Sequence, residues 1–586
     1  MSCTEFIMRP AFVIALSMLL APIAGAQEVA DVLLTGGKIL TVDADFSTAQ
    51  AIALKGERIL AVGSNADLAK LKGPDTEVMD LKGATVLPGL IDSHVHATSA
   101  AMHEFEHTYP EFETIQDVLD YIGARAEEAD DGEWITLSQV FITRLRERRY
   151  PTRAEMDEVA PNNPVKFATG PDASVNSMAL ELSGIDEDFV LPEGSKSRLE
   201  RDPKTGKLTG IIRSPGSLIK ASRSNRVAPT MDDRANRLAE LFADYNKVGI
   251  TSVSDRNASE SGIRVYQQLL EEDRLNCRVY LYRGIGGGGS GDELAKKLDQ
   301  IVEHPLHEYS NRLWLNGVKL FLDGGMLTGS AYMLEPWGVS ESYGIVDPAY
   351  RGTIRTEPDQ LYEMVRAAME RDLQFTAHAV GDGAVERLVD AYSQVAEKDF
   401  PVRDKRPCVT HCNFMSPRAI AKMAKHGIVA DLQPAWLYLD GSTLTQHFGN
   451  KRLRWFQPYH TLFEKGVVVG GGSDHMQKIG SLRAVNPYNP FLGMWITLTR
   501  QPRWMDGALH PVQRISRPEA IRLYTINNAY LTFEEKEKGS LEAGKLADFV
   551  LLDRDILTCP LEQVREIQVQ QTWLGGERVY EAGASE

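Results

Sequence analysis

The rhythm of apolar and polar positions changes twice along the chain. Near the start, DVLLTGGKILTVD, AIALKGERILAVG and TEVMDLKGATVLPG are short apolar runs closed by glycine turns, which predicts β-strands, and no helical period appears before residue 90. At the far end, GSLEAGKLADFVLLD and IQVQQTWLGGERVYE show the same β-character after a long helical stretch. The two ends, 27–86 and 535–586, are therefore expected to meet in one small β-sandwich. Between them, strand-like segments alternate with amphipathic helical ones, as a parallel α/β arrangement requires. The candidate strands are GLIDSHVHA, GITSVSD, CRVYLYR, GVKLFLDG, QFTAHAVG, CVTHCN, GIVADLQP and GVVVGGGSD. Eight is the number that closes a (β/α)8 TIM-type barrel, here 87–97 for the first strand and 236–534 for the rest. The first gap is too long for one helix, so 98–235 is expected to hold an inserted subdomain over the barrel mouth, with WITLSQVF and NPVKFATG as strands.

The strand ends carry the chemistry. In a strand over LPGLIDSHVHA, His94 and His96 share a face with Cα atoms roughly 6.6 Å apart. That spacing lets two ring nitrogens converge on one metal at about 2.0 to 2.1 Å. Asp92 shares their parity one step deeper, where a carboxylate can orient a ligating imidazole. Catalytic groups of such a barrel come from the C-terminal ends of different strands, and here QFTAHAVGD carries His378, CVTHCN carries His411 and GVVVGGGSD carries Asp474. His378 and His411 are 33 residues apart and Asp474 lies 63 further on, which fits the fifth, sixth and eighth strands. The fourth strand carries Lys319, whose ammonium has no lone pair for a metal. Carbamylated by CO2 it becomes a carboxylate able to bridge two metals; unmodified, it can pair with Asp323 on the same face.

With 586 residues and 43% hydrophobic content the chain can bury a large core. A net charge of -17, spread without an acidic tail, argues against nucleic acid and anionic membrane as partners but does not identify a substrate; a small-molecule substrate is expected, with homo-oligomerisation open. Residues 1–26 read as a cleaved secretory signal: Arg9 precedes an apolar run from Ala11, Pro22 interrupts it, and Ala24-Gly25-Ala26 fits a cleavage site. A periplasmic or secreted protein is expected. Cleavage removes Cys3 and leaves Cys277, Cys408, Cys412 and Cys559. Cys408 and Cys412, roughly 13 Å apart on one strand, are too distant for a disulfide. The run GIGGGGSGD lacks the GK[ST] ending of a phosphate loop and reads as a flexible loop.

The ordered set LPGLIDSHVHA, LERDPKTGKLTGIIR, GITSV, GVKLFLDGG, EPW at 335–337, HAVGDGA, THCN, GGSD and GSLEAGKLADFVLLD resembles the amidohydrolase superfamily, in its branch of YtcJ-like proteins and N-substituted formamide deformylases. The resemblance implies that His94 and His96 bind one metal and His378 and His411 the other. It further implies that carbamylated Lys319 bridges them and that Asp474 binds metal and carries protons. Two zinc ions are the default, with manganese or iron as alternatives. The implied reaction is hydrolysis of an amide-type C–N bond by hydroxide, generated as the metals lower the pKa of water from about 15.7 toward about 7. Lactone or ester hydrolysis on the same site, and a non-catalytic periplasmic binding or regulatory role, are the alternatives. The chain departs from the pattern at TGPDASVNS, with Thr169 and Pro171 where Asp and His are usual, and at His475-Met476, where Ala-Pro is usual. Both departures are expected near the pocket, for which Trp337, Trp436, Tyr438 and Trp495 are candidate walls.

Overall fold

The computed structural model describes residues 28–584, except 139, 170, 171, 196, 216, 222–227, 287–290 and 480–485. The expected signal segment, the centre of the glycine run and Pro171 therefore lie outside the described residues. All eight expected barrel strands form: β1 Leu90–Val95, β2 Ile250–Ala258, β3 Arg278–Gly284, β4 Leu313–Phe321, β5 Gln374–Ala379, β6 Cys408–His411, β7 Val429–Leu432 and β8 Val469–Gly471. They make one parallel sheet whose spatial order follows the chain. Helices such as Met231–Lys247, Asp382–Lys398 and Pro417–His426 connect them, each burying an apolar stripe against the strands.

The sheet closes where β8 meets β1. Past the end of β8, the Asp474 N–H donates to His94 O at 2.7 Å, and the His96 N–H donates to His475 O at 2.8 Å. Val95 and His475 form a parallel bridge at the same place. Gly472 makes this approach feasible, because a Cβ there would stand 2.8 Å from both His94 N and Ser93 Oγ.

Between β1 and β2 the chain builds a five-stranded sheet in the order Arg198–Arg201, Leu208–Arg213, Asp172–Val175, Val165–Thr169, Ile135–Leu137. The last two are the strands expected there from the sequence, and the other three are additional. A separate apolar core, including Val118, Ile122, Leu137 and Phe167, holds this sheet to its helices. Arg144 fastens the segment to the barrel helix Pro434–Phe448 through two bonds to Asp440, at 3.0 and 2.8 Å.

The chain ends meet as expected: Phe549–Leu552 pairs antiparallel with Thr85–Pro88 in a six-stranded sheet drawn from both termini. Beneath the barrel, Arg278 at the start of β3 forks onto Asp548 at 2.7 and 2.9 Å, with both side chains buried. The described cysteines are free. Among the described residues no helix is long and apolar enough to cross a membrane.

Candidate metal centre

The barrel brings all six sequence-predicted residues to one end. Phe321 lies opposite His378 and Ala379 opposite His411 in the parallel register, so β4, β5 and β6 deliver their ends side by side. Across the seam, the Nε2 atoms of His94 and His96 stand 3.4 and 3.3 Å from Asp474 Oδ1. The ligand atoms of these three residues all lie within 4.8 Å of one another. The His411 ring is 5.0 Å from that of His94 and 4.5 Å from that of His378, which joins the two groups. Lys319 is buried at 1% exposure. Two of the six hold strained backbone, His411 at φ 80 and Asp474 at φ 55. Left-handed conformations at such residues cost about 1 to 3 kcal/mol each, a cost that persists where a site depends on it.

Partners fix which imidazole nitrogen is available. His94 Nδ1 faces Asp431 Oδ2 at 3.2 Å and donates to it, leaving Nε2 for a ligand. That Nε2 is buried and has no hydrogen-bond partner. His411 Nδ1 donates to Gln433 Oε1 at 2.7 Å, again freeing Nε2. His378 differs: its Nε2 donates to Gly324 O at 3.1 Å, so Nδ1 keeps the lone pair. Burial, with the Lys319 charge next, drives His378 down to about 3. His94 is held well below its ordinary value by burial and then Lys319, and His411 by burial and then His378. All three rings are neutral at physiological pH, as metal coordination requires. Burial, reinforced by Arg256, lowers Lys319 to about 7.

The carboxylate that orients His94 is Asp431, on β7, and not Asp92. Asp92 Oδ1 instead accepts the backbone N–H groups of His94 and Ser473, each at 3.0 Å. Parity along the strand carries no sign that the seam's own amides claim this carboxylate. Asp431 also takes Ser93 Oγ at 2.6 Å and Arg256 Nε at 3.1 Å, all three buried. Arg256 and Gln433 likewise went unrecognised, although Asp431 and Gln433 share a parity inside the apolar GIVADLQP, a signal for one polar face. The alternative pairing of Lys319 with Asp323 does not form. The strand ends at Phe321, and Asp323 turns to the N–H groups of Tyr332, Val380 and Gly381 at 3.0, 3.0 and 2.9 Å.

A cavity of about 1310 Å³ opens over these residues and is lined by His96, Lys319, His378, His411 and Asp474. Of the four candidate aromatic walls, Trp436 lines it, stacked on His411 at 4.8 Å. Trp337 instead donates to Ala331 O at 2.7 Å in a buried cluster, and Tyr438 packs against Trp495. Of the departures from the family pattern, that at His475-Met476 reaches this region. Met476 lines the cavity, while the neighbouring His475 ring is buried against Tyr245 OH at 2.8 Å. Thr169 does not line the cavity but pairs with Asp172, which does.

The sequence matches the amidohydrolase family over residues 77–580. It is 29% identical over 570 residues to an N-substituted formamide deformylase of Arthrobacter pascens, covering 95% of this chain and 100% of that protein. It is 24% identical to the putative amidohydrolase YtcJ of Bacillus subtilis (strain 168), covering 93% and 98%. In fold it is similar to an uncharacterized metal-dependent hydrolase from Pyrococcus furiosus, with a TM-score of 0.63 at 24% identity, covering 90% of this chain and 100% of that one.

Proposed function

The chain belongs to the amidohydrolase family, and from that premise we propose that it hydrolyses an amide-type C–N bond of a small molecule: an N-acyl compound, a formamide or a cyclic amide. The observation that carries the reading is the buried, unpartnered His94 Nε2, aimed with His96 Nε2 at the Asp474 carboxylate. Two imidazole nitrogens converging on a carboxylate oxygen suit a divalent cation, with zinc the default and manganese or iron accommodated by the same donors. The 29% identical relative that bears the name N-substituted formamide deformylase supports the choice of a C–N bond.

In this reading His94, His96 and Asp474 would hold one metal and His378 and His411 a second, and Lys319, carbamylated on Nζ, would supply a further anionic ligand. Its burial without a carboxylate within 4.0 Å among the described residues supports that change, since a buried unpaired ammonium is costly. When bound, the metals polarise the scissile carbonyl and acidify water. Asp474 accepts the proton of the attacking water and returns it to the leaving nitrogen, so that the amine departs uncharged. Asp431 and Gln433 hold the His94 and His411 rings in ligating orientation, while Trp436 shields the His411 side from water.

A panel of N-acyl amines, formamides, cyclic imides and lactones tests the reading. Turnover of an amide substrate that stops on chelation and returns with zinc or manganese is expected; turnover of lactones alone would overturn it. Export is part of the proposal, with residues 1–26 as its signal. Peptide mapping of protein from the native cell should begin near Gln27, and an intact N-terminus in the cytosol would contradict it.

A further inference from the structure

Three arginines line the cavity, and two of them are committed. Arg213 binds Glu200 at 2.6 Å and Asp172 at 2.9 Å, and Arg198 donates to Gly344 O at 2.8 Å and reaches Glu200 at 3.4 Å. Arg355 is different. It is exposed, and among the described residues its guanidinium has no carboxylate within 4.0 Å and its side chain makes no hydrogen bond, while its charge reaches Asp323 and His378 at the metal centre. Its backbone is nevertheless fixed, for its N–H donates to Leu322 O at 2.9 Å and Ile354 bridges Asp323. Arg355 is thus fastened to the stretch that continues β4 past Lys319, beside the metal centre. The same cavity offers apolar surface: Phe321, whose ring lies 5.5 Å from that of His378, together with Leu327 and Val346.

We propose that Arg355 receives a carboxylate carried by the substrate, which makes the substrate class N-acylated amino acids and similar amides bearing an acid group. The proposal rests on the C–N hydrolase reading. The guanidinium fork matches a planar carboxylate with two parallel hydrogen bonds. One uncommitted guanidinium balances one negative charge and would leave a phosphate dianion partly unmatched. The apolar body then lies over Phe321 with the scissile carbonyl at the imidazoles.

Binding of benzoylpropionate and of its uncharged methyl-ketone isostere to the metal-loaded protein tests this by calorimetry. Neither probe has a hydrolysable bond, so the result is independent of turnover. The anion should bind roughly 10 to 100-fold tighter than the isostere. Arg355→Ala should erase that gap with an unchanged circular dichroism spectrum and metal content, and Arg355→Lys should keep part of it. Equal affinities, no binding of either probe, or a gap that survives in Arg355→Ala would overturn the proposal. Equal affinities alongside amide turnover would remove the anion site and leave the C–N reading standing. Lactone-only turnover with the gap intact would remove that reading and leave Arg355 as an anion site.

Discussion

The two sides of the barrel mouth are made of different materials. At the seam, His94 and His96 face the Asp474 carboxylate, and behind them Asp431 and Arg256 form a buried, hydrogen-bonded support. On the other side β4 to β6 bring together Lys319, His378 and His411, and there the nearby acid, Asp323, is occupied by three backbone N–H groups. The seam already points a carboxylate at its imidazoles; on the opposite side the acid 3.6 Å from His378 Nε2 is taken up by backbone N–H groups, and Lys319 is a buried amine lowered to about 7. On the proposed reading, the difference makes Lys319 the residue whose chemical state would decide whether a second cation is held.

Asp474→Asn attacks the seam most directly. It removes an anionic ligand and the proposed proton carrier together, so activity should fall roughly 10,000-fold with loss of metal, as read by kinetics and elemental analysis. Lys319→Ala should spare the seam metal and lose the other. Several kcal/mol of charge stabilisation goes with it, on the order of 1000-fold in rate. A short carboxylic acid in the buffer should restore part of that activity, whereas Lys319→Arg should restore none, because its guanidinium stays cationic. Full activity in Lys319→Ala would erase the contrast between the two sides. Asp431→Asn keeps the shape of the seam but weakens its hold on His94, and metal affinity should drop about 10 to 100-fold in competition titrations.

The smallest effect on activity is expected at a buried pair remote from both sides. Burial alone would raise the Asp548 carboxyl, but the Arg278 guanidinium and the Gly575 N–H outweigh it and hold the group below its usual range. A carboxyl depressed in the folded state stabilises the fold above its unfolded value of 3.8 and loses that contribution as pH falls through the lower folded value. Asp548→Asn should therefore cost on the order of 3 kcal/mol at neutral pH and flatten the acid limb of the unfolding curve. Metal content should not change.

The regular parts of this molecule were legible because barrel strands are short apolar runs between turns, and because the ligating residues fall at their ends. Asp431 and Arg256 were harder to read, since a charged residue inside a buried strand acquires meaning only from neighbours distant in the chain, as Arg256 does from Ser93 O, 163 residues away in sequence and 2.7 Å in space. The Lys319–Asp323 pairing failed for a related reason: parity along a strand no longer governs direction once the chain leaves the sheet at Phe321. Arg355 stands in an irregular segment with no period to mark it, and only its place on the cavity wall distinguishes it from a surface arginine.

Anomalous diffraction from crystals grown at neutral pH with zinc and bicarbonate tests the account most directly. It predicts one metal among His94, His96 and Asp474, a second at His378 and His411, and extra density on Lys319 Nζ reaching both. A single metal at the seam beside an unmodified Lys319 in fully active protein would contradict the bridge, and metal at neither place would contradict the site itself.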